Sequence, residues 1–276
     1  MMNKLLIKIS LCFFILVFLL PTIQMQETPP APGIKKIIDR GKLIVAIHSE
    51  DQPPFFFLDK NGKLKGQDIE IARGIATEFG VNLEFNREAK AFNDLVDIVA
   101  AGKADMAISK LSRTLKRARI IKFSNPYIVF HQALILNRLE LAKKAPTNED
   151  IDPFIKDFKG KIGIIANSSY VNYAKKYFPN AKPIEFPTWD DVVEAVFNGE
   201  VLAGYRDEME IRKVIKGRSD ASLKVKSVVI KDVTDPIAIA IARENTQLVF
   251  WVNLYLEQLN LNLTAEKLLN KYPEIF

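Results

Sequence analysis

The sequence predicts an α/β protein of two lobes, each a mainly parallel β-sheet flanked by helices. Three observations predict this fold class. Buried-type strands alternate with amphipathic helices, the alternation restarts after residue 147, and 276 residues can bury two modest cores. Hydrophobic residues form 48% of the chain, which is ordinary for a globular protein. The composition therefore indicates neither a disordered chain nor a protein with many membrane spans.

The first half of the chain alternates between strand and helix patterns. In order, these patterns predict strand 43–47, helix 68–79, strand 81–85, helix 92–101 and strand 105–108. Gly80 and Gly102 directly follow the two helices, at the position where glycine commonly ends a helix. Alternation at this spacing predicts right-handed crossovers around a mainly parallel sheet.

The second half leaves the first lobe through an apolar extended segment, 127–136, which the polar linker 143–147 follows. The pattern then predicts, in order, strand 162–165, helices 169–178 and 189–198, strand 202–205, helix 208–215, strand 237–241, and helices 246–259 and 264–270. We expect the last two helices to return to the first lobe. The chain would then cross between the lobes twice.

These two crossings define the expected lobes. We expect extended crossovers near residues 133–138 and 229–235, and two such segments form a natural hinge. The expected lobes are lobe 1, residues 37–133 plus 234–276, and lobe 2, residues 138–229.

The N-terminal residues have the pattern of an export signal. Lys4 and Lys8 are followed by an apolar run that ends before Pro21, about the length of a secretory signal. We therefore expect residues 1–26 to be a signal peptide and residues 27–36 a linker. A clear cleavage site is missing, so a retained membrane anchor is the alternative. Cys12 is the single cysteine, and cleavage would leave no thiol or disulfide in the mature protein.

Several function classes lack their sequence signals. The formal charge is +6, but basic and acidic residues are interspersed, without the basic stripe of a nucleic-acid-binding protein. Two histidines and one cysteine give no metal-ligand spacing, and no phosphate-binding or nucleophile-elbow motif follows a strand. We therefore expect no metal, no cofactor and no nucleic-acid partner.

Residues 109–127 combine a hydroxyl cluster, an arginine and a turn of sequence FS-x-PY. Thr114 can cap a short helix that carries Arg117, with Ser112 just before it. A hydroxyl and free backbone N–H groups at a helix start, with a guanidinium one turn later, suit a carboxylate. Other cationic residues crowd the same turn: Arg113, Lys116 and Arg119. From spacing alone, a basic surface helix is therefore the alternative.

This segment resembles the ligand-binding signature of bacterial extracellular solute-binding proteins of family 3, the receptors for polar amino acids in ABC importers. The matching residues of the family pattern T-x-T-x-x-R and F-S-x-P-Y are Ser112, Thr114, Arg117, Phe123, Ser124, Pro126 and Tyr127. Three further segments, 41–80, 158–178 and 198–211, resemble the family in order and spacing. The resemblance extends from about residue 41 to residue 272.

The resemblance implies the two-lobed periplasmic-binding-protein type II fold, with a two-strand hinge. It also implies a function in the periplasm without catalysis or catalytic residues. Such a protein would bind a free amino acid as a monomer. It would then deliver that amino acid to an ABC transporter permease by lobe closure.

The resemblance also implies roles for individual residues. Arg117 would hold the ligand carboxylate bidentately, helped by Ser112. On lobe 2, Ser168 and Ser169 would donate to the same carboxylate, and Asp207 would accept the α-ammonium, since a buried ammonium needs an anion. The alternative for Asp207 is an N-cap of the following helix, and the two roles are compatible.

Phe92 matches the aromatic residue that stacks on the ligand, although a phenylalanine at a helix start is otherwise a core residue. Phe55 we expect in the core. Two positions depart from the family pattern. Ser49 stands where receptors for glutamine and basic amino acids commonly have aspartate, and Lys110 stands where the family usually has Gly or Ser facing the cleft.

These departures favour a polar or acidic amino acid as the ligand. An ammonium of Lys110 in the cleft would repel a cationic side chain and attract an acidic one. The alternative is that Lys110 extends outward to water.

Two other functions are compatible with the same scaffold. One is an enzyme resembling cyclohexadienyl or arogenate dehydratase, with Glu50 or Asp51 as the acid or base. The other is a membrane-anchored module that senses a ligand and retains its leader.

Overall fold

Two five-stranded β-sheets form the framework of residues 28–275, the part of the chain that this computed structural model describes. The predicted signal peptide or anchor (1–26), with Cys12, lies outside the described residues. The strands are β1 (Lys42–His48), β2 (Phe57–Leu58), β3 (Leu64–Lys65), β4 (Asn82–Ala89), β5 (Met106–Ala107), β6 (Ile121–Phe123), β7 (Ile128–Asn137), β8 (Lys161–Ile165), β9 (Lys182–Phe186), β10 (Ala203–Asp207), β11 (Val225–Ile237) and β12 (Ala240–Ala242).

Helices cover the faces of these sheets. The α-helices are α1 (Pro32–Arg40), α2 (Gln67–Glu78), α3 (Asp94–Ala100), α4 (Arg138–Ala142), α5 (Ile151–Lys156), α6 (Tyr170–Tyr177), α7 (Trp189–Phe197), α8 (Glu208–Gly217), α9 (Ala221–Lys224), α10 (Thr246–Leu259) and α11 (Ala265–Lys271). Short 3₁₀ helices span Arg117–Arg119 and Pro273–Ile275. None of the helices within residues 28–275 combines the length and apolarity needed to cross a membrane.

Lobe 1 is built on the sheet with strand order β4-β1-β5-β12-β6. Strand β1, of sequence KLIVAIH, is largely buried because helices pack on both faces of the sheet. Helices α1, α2, α10 and α11 supply one apolar core, and α3 supplies the core on the opposite face. A separate two-stranded sheet, β2-β3, precedes α2.

Lobe 2 is built on the sheet with strand order β11-β7-β10-β8-β9. One of its cores contains residues of α4, α5 and α6, and the other contains residues of α7, α8 and α9. The predicted two-lobed α/β architecture is therefore confirmed.

Both sheets are less parallel than we predicted. Each contains two parallel and two antiparallel strand pairs. The antiparallel pairs arise where the chain passes between the lobes. Strand β7 enters lobe 2 antiparallel to β10 and β11, and β12 returns antiparallel to β5 and β6.

The hinge is a continuous antiparallel ladder of β7 and β11. Pairing runs from Ile128 opposite Ile237 to Asn137 opposite Val225, with one register shift between Ile230 and Thr234. The ladder joins both lobes: Ile128 belongs to a lobe 1 core, whereas the segment 133–136 belongs to the cores of lobe 2. The predicted strand 237–241 is split, since β11 ends at Ile237 and β12 begins two residues later.

The predicted linker 27–36 is wrong in its second half, because α1 begins at Pro32. Proline is favoured at the first position of a helix, where no intrahelical N–H bond is lost. Ile34 and Ile37 then lie one turn apart and are buried in the lobe 1 core. Within the predicted linker, Pro32 therefore marks the start of a helix.

Gly66 provides a test of the turn that leads into α2. Its φ is +122°, and an added Cβ would lie 2.2 Å from the Phe55 carbonyl oxygen. We expect Gly66→Ala to lower the free energy of unfolding by about 2–4 kcal/mol, through backbone strain and this clash. Urea denaturation would measure the loss.

Gly62→Ala is the matched control for Gly66→Ala. Gly62 also has a positive φ, +72°, but no atom lies within 4 Å of an added Cβ. We expect a loss of about 1 kcal/mol, from the left-handed backbone alone. Equal losses in the two variants would contradict the proposed clash.

Candidate ligand-binding site

A small cavity lies between the two lobes. Its free volume is about 10 Å³, which is about the room that one water molecule requires. An amino acid therefore needs the lobes to separate or side chains to move. The lining residues are Phe92, Lys110, Ser112, Ser168, Ser169, Tyr170, Arg206, Asp207, Asp235 and Ile237.

Lys110 crosses from lobe 1 to lobe 2. It follows the end of β5 with a positive φ of +46°, and its N–H donates to the Asp68 carboxylate at 2.7 Å. The residue is 4% exposed, and its Nζ lies 2.9 Å from Asp207 Oδ2 and 2.5 Å from Glu210 Oε1. Lys110 therefore faces the cleft, and its extension into water is ruled out.

The two carboxylates that hold Lys110 are part of the start of α8. Asp207 ends β10 and caps α8, since its Oδ1 accepts the Glu210 N–H at 3.2 Å. Asp207 therefore acts both as the N-cap of α8 and as an anion that pairs with Lys110. Burial alone would raise the pKa of Glu210, but the ammonium groups of Lys110 and Lys213 hold it well below its usual range.

Asp235 is a buried carboxylate that the sequence did not suggest as a site residue. Its Oδ2 accepts hydrogen bonds from Ser112 Oγ at 3.0 Å and Tyr170 OH at 3.1 Å, and its Oδ1 accepts from Tyr173 OH at 3.3 Å. Burial, followed by the nearby Asp207 carboxylate, raises the pKa of Asp235 to about 6.

Ser112 and Ser169 connect the lobes by a hydrogen bond. Ser169 Oγ donates to Ser112 Oγ at 3.0 Å, and Ser112 donates onward to Asp235. Ser168 has a local role: its hydroxyl donates to the Ile165 carbonyl at 2.7 Å and accepts the Tyr170 N–H. Three of the four predicted serines, Ser112, Ser168 and Ser169, therefore border the cavity, but Ser168 is engaged in the turn before α6.

Arg117 is not among the residues that line the cavity, but it contacts the backbone of Ser112, which is. Thr114 Oγ1 accepts the Arg117 N–H at 3.3 Å, as expected for a capping residue. The guanidinium donates through Nη1 to the Ser112 carbonyl at 2.8 Å and through Nε and Nη2 to Asn93 Oδ1. Burial lowers the pKa of Arg117 to about 10, so the group stays charged at neutral pH. The interpretation as a basic surface helix is wrong for this residue, because Arg117 is buried.

Arg206 is a cavity residue that sequence reasoning missed. Its guanidinium lies between two rings, with Cζ 5.2 Å from the centroid of Phe92 and 5.6 Å from that of Tyr170. One signal was available in the sequence: this arginine directly follows the apolar strand predicted at 202–205. Phe92 lies at the cavity as predicted, and Phe55 is fully buried in the core.

Ser49 is not among the residues that line the cavity. It is exposed, directly after the end of β1, and its N–H donates to the Ala89 carbonyl at 2.8 Å. This backbone bond extends the pairing of β1 with β4 and keeps Ser49 at the surface. The placement does not support a ligand-binding role for Ser49.

Glu50 and Asp51, the candidates for acid–base chemistry, border a different and larger groove together with Trp189 and Arg218. Asp51 pairs with Arg87 at 2.7 Å in that region. Neither carboxylate therefore adjoins the cavity that Asp207 and Ser112 share.

The sequence profile of the bacterial extracellular solute-binding proteins, family 3, matches residues 43–274. The chain belongs to this family. This solute-binding protein is 24% identical over 234 residues to the ABC transporter arginine-binding protein 1 of Escherichia coli strain K12. That match covers 82% of this chain and 86% of the relative.

Two further relatives show the breadth of this family. The solute-binding protein is 27% identical over 199 residues to the membrane-bound lytic murein transglycosylase F of Saccharophagus degradans strain 2-40, covering 70% of this chain and 37% of the relative. Its structure resembles that of the ancestral amino acid-binding protein AncCDT-1, a precursor of cyclohexadienyl dehydratase, with a TM-score of 0.68 and 27% identity. That likeness covers 88% of this chain and 99% of the other, and it confirms the type II periplasmic-binding-protein fold.

Asp235 predicts a pH dependence of stability. Its folded-state pKa is about 6, above the usual value near 3.8, so the folded protein binds this proton more tightly than the unfolded chain. The resulting stability is present at low pH and is lost as pH rises through about 6. We expect the wild type to gain about 1 kcal/mol between pH 7 and pH 5, relative to Asp235→Asn.

Urea denaturation of both proteins at pH 5, 6 and 7 would measure this difference. The asparagine variant is neutral at every pH and keeps one acceptor oxygen at this position. All other titrating groups are common to both proteins. A difference that stays constant across this pH range would show that Asp235 does not titrate there.

Proposed function

We propose that this protein binds a free polar amino acid between its lobes and delivers it to an ABC transporter permease by lobe closure. The observation that carries this proposal is the juxtaposition of charges from separate lobes. Asp207 of lobe 2 borders the same cavity as Ser112 of lobe 1, whose carbonyl accepts a hydrogen bond from the Arg117 guanidinium. A zwitterion requires such a pair of opposite charges.

Arg117 and Ser112 would bind the α-carboxylate. Each terminal nitrogen of a guanidinium carries two N–H groups. The bonds to Ser112 and Asn93 hold the plane of the guanidinium while further N–H groups can reach a ligand. A carboxylate matches this geometry because it accepts two parallel hydrogen bonds. Ser169, at the start of α6, adds a hydroxyl from lobe 2.

Asp207 would bind the α-ammonium in competition with Lys110. In this structure Asp207 Oδ2 lies 2.9 Å from Lys110 Nζ, and Glu210 provides Lys110 with a second anion. A shift of Lys110 towards Glu210 would free Asp207 without leaving a buried ammonium unpaired. The site can therefore exchange an internal cation for that of a ligand.

The hinge ladder of β7 and β11 supports delivery by lobe closure. Two extended segments connect the lobes, and closure about such segments buries whatever lies between them. Binding in the micromolar range corresponds to about 8 kcal/mol, which a paired carboxylate and ammonium together with lobe burial can supply. We propose a monomer that works outside the cytoplasm, as the family's description as extracellular implies.

Arg117→Lys and Asp207→Asn test this function. Lysine keeps the charge but not the planar fork, and asparagine keeps the N-cap of α8 but not the anion. We expect either change to weaken amino-acid binding at least about 100-fold, because one end of the zwitterion loses its partner. A thermal-shift screen of the twenty amino acids followed by calorimetric titration would measure it.

Arg119→Ala is the control, since this exposed arginine lies in the same 3₁₀ helix as Arg117. Its affinity should match that of the wild type. Binding of an amino acid by Arg117→Lys and Asp207→Asn at wild-type strength would contradict the proposed site. If the wild type binds none of the twenty, the proposed function itself is wrong.

A further inference from the structure

Arg206 is a buried cation with an unused hydrogen-bond donor. The residue is 3% exposed, and within residues 28–275 its Nε has no hydrogen-bond partner. Buried polar groups are normally hydrogen-bonded, and an unsatisfied charged donor is costly. An orphaned donor at the cavity indicates that an acceptor belongs there.

The carboxylates around Arg206 are engaged by other donors. Asp207 Oδ2 is 3.6 Å from Arg206 Nε, but the same oxygen lies 2.9 Å from Lys110 Nζ. Asp207 Oδ1 accepts the Glu210 N–H, and Asp235 accepts three hydroxyl groups. These contacts provide Arg206 with nearby negative charge but with no acceptor in hydrogen-bonding geometry at Nε.

The rings of Phe92 and Tyr170 fix the position of the Arg206 guanidinium. Both rings lie within the distance of a cation–π interaction. Neither contact gives Nε a hydrogen-bond acceptor, so this N–H remains for one. A carboxylate is the best such acceptor, because it matches the guanidinium fork with two parallel hydrogen bonds.

We propose that Arg206 binds the side-chain carboxylate of the ligand, which makes the protein a receptor selective for acidic amino acids. This inference rests on the proposed function, in which Arg117 and Ser112 bind the α-carboxylate. Lys110 and Arg206 both border the cavity, and the two carboxylates that also border it, Asp207 and Asp235, already have donors. A cationic side chain would therefore meet two positive charges without a free anion. A second carboxylate would supply the acceptor that Nε lacks.

Calorimetric titration with L-glutamate, L-glutamine and L-arginine tests this selectivity. Glutamate and glutamine have the same shape and differ in the charge of one group. We expect the wild type to bind glutamate at least about tenfold more tightly than glutamine, and arginine most weakly. In Arg206→Gln, the preference for glutamate over glutamine should fall about tenfold, with glutamine affinity changed less than about threefold.

Two further variants complete the design. Arg206→Lys keeps the charge without the fork and should retain part of the preference; it also serves if Arg206→Gln does not fold. Arg218→Gln is the matched control, because Arg218 also lies over a ring, that of Phe197, at 3.9 Å, but outside the cavity. Its preference for glutamate should equal that of the wild type.

The outcomes separate this inference from the proposed function. If the wild type binds glutamine or arginine as tightly as glutamate, Arg206 does not select a carboxylate, while the proposed function stands. Equal loss of glutamate and glutamine binding in Arg206→Gln would also overturn the inference, since it indicates a structural role. If no amino acid binds the wild type, the proposed function fails instead.

Discussion

The arrangement of the cleft depends on the ion pairs that the Lys110 ammonium forms with Asp207 and Glu210. These ion pairs join a loop of lobe 1 to the start of α8 in lobe 2, with all three groups buried. Buried charges are tolerated only in pairs or networks, so removal of Lys110 would leave Asp207 and Glu210 without the cation that they share. The same ion pairs explain why the pKa of Glu210 is low. They also give Asp207 two roles, as the N-cap of α8 and as an anion for Lys110.

A second network lies beside the first. Asp235 lies in the hinge strand β11. It accepts hydrogen bonds from the hydroxyl groups of Ser112 in lobe 1 and of Tyr170 and Tyr173 in lobe 2. Because neutral donors alone surround it at hydrogen-bonding distance, burial is not offset by a direct ion pair, and its pKa is raised. Beside the cavity, the lobes are thus joined both by the ion pairs of Lys110 and by the hydroxyl contacts of Asp235.

Local sequence patterns predicted the elements and part of the site. The spacing of Thr114 and Arg117 predicted the contact between the Thr114 hydroxyl and the Arg117 N–H, because contacts within one turn are visible in sequence. Lys110 and Glu210 are 100 residues apart, and Ser112 and Asp235 are 123 apart. No local pattern encodes such pairs, so the direction of Lys110 and the role of Asp235 required the structure. Arg206 was missed for the same reason, since its environment comes from α6 and the residues before α3.

The register shift in the hinge has a consequence for movement. Between the pairs Ile230–Gln132 and Thr234–His131, β11 contains three additional residues and β7 contains none. Between these two pairs, the path of β11 is therefore longer than that of β7. A rotation of the lobes can bend the ladder about β7, with the surplus residues of β11 accommodating the change in path length. If the lobes rotate, the shorter path of β7 between these pairs would make the outgoing crossover the pivot.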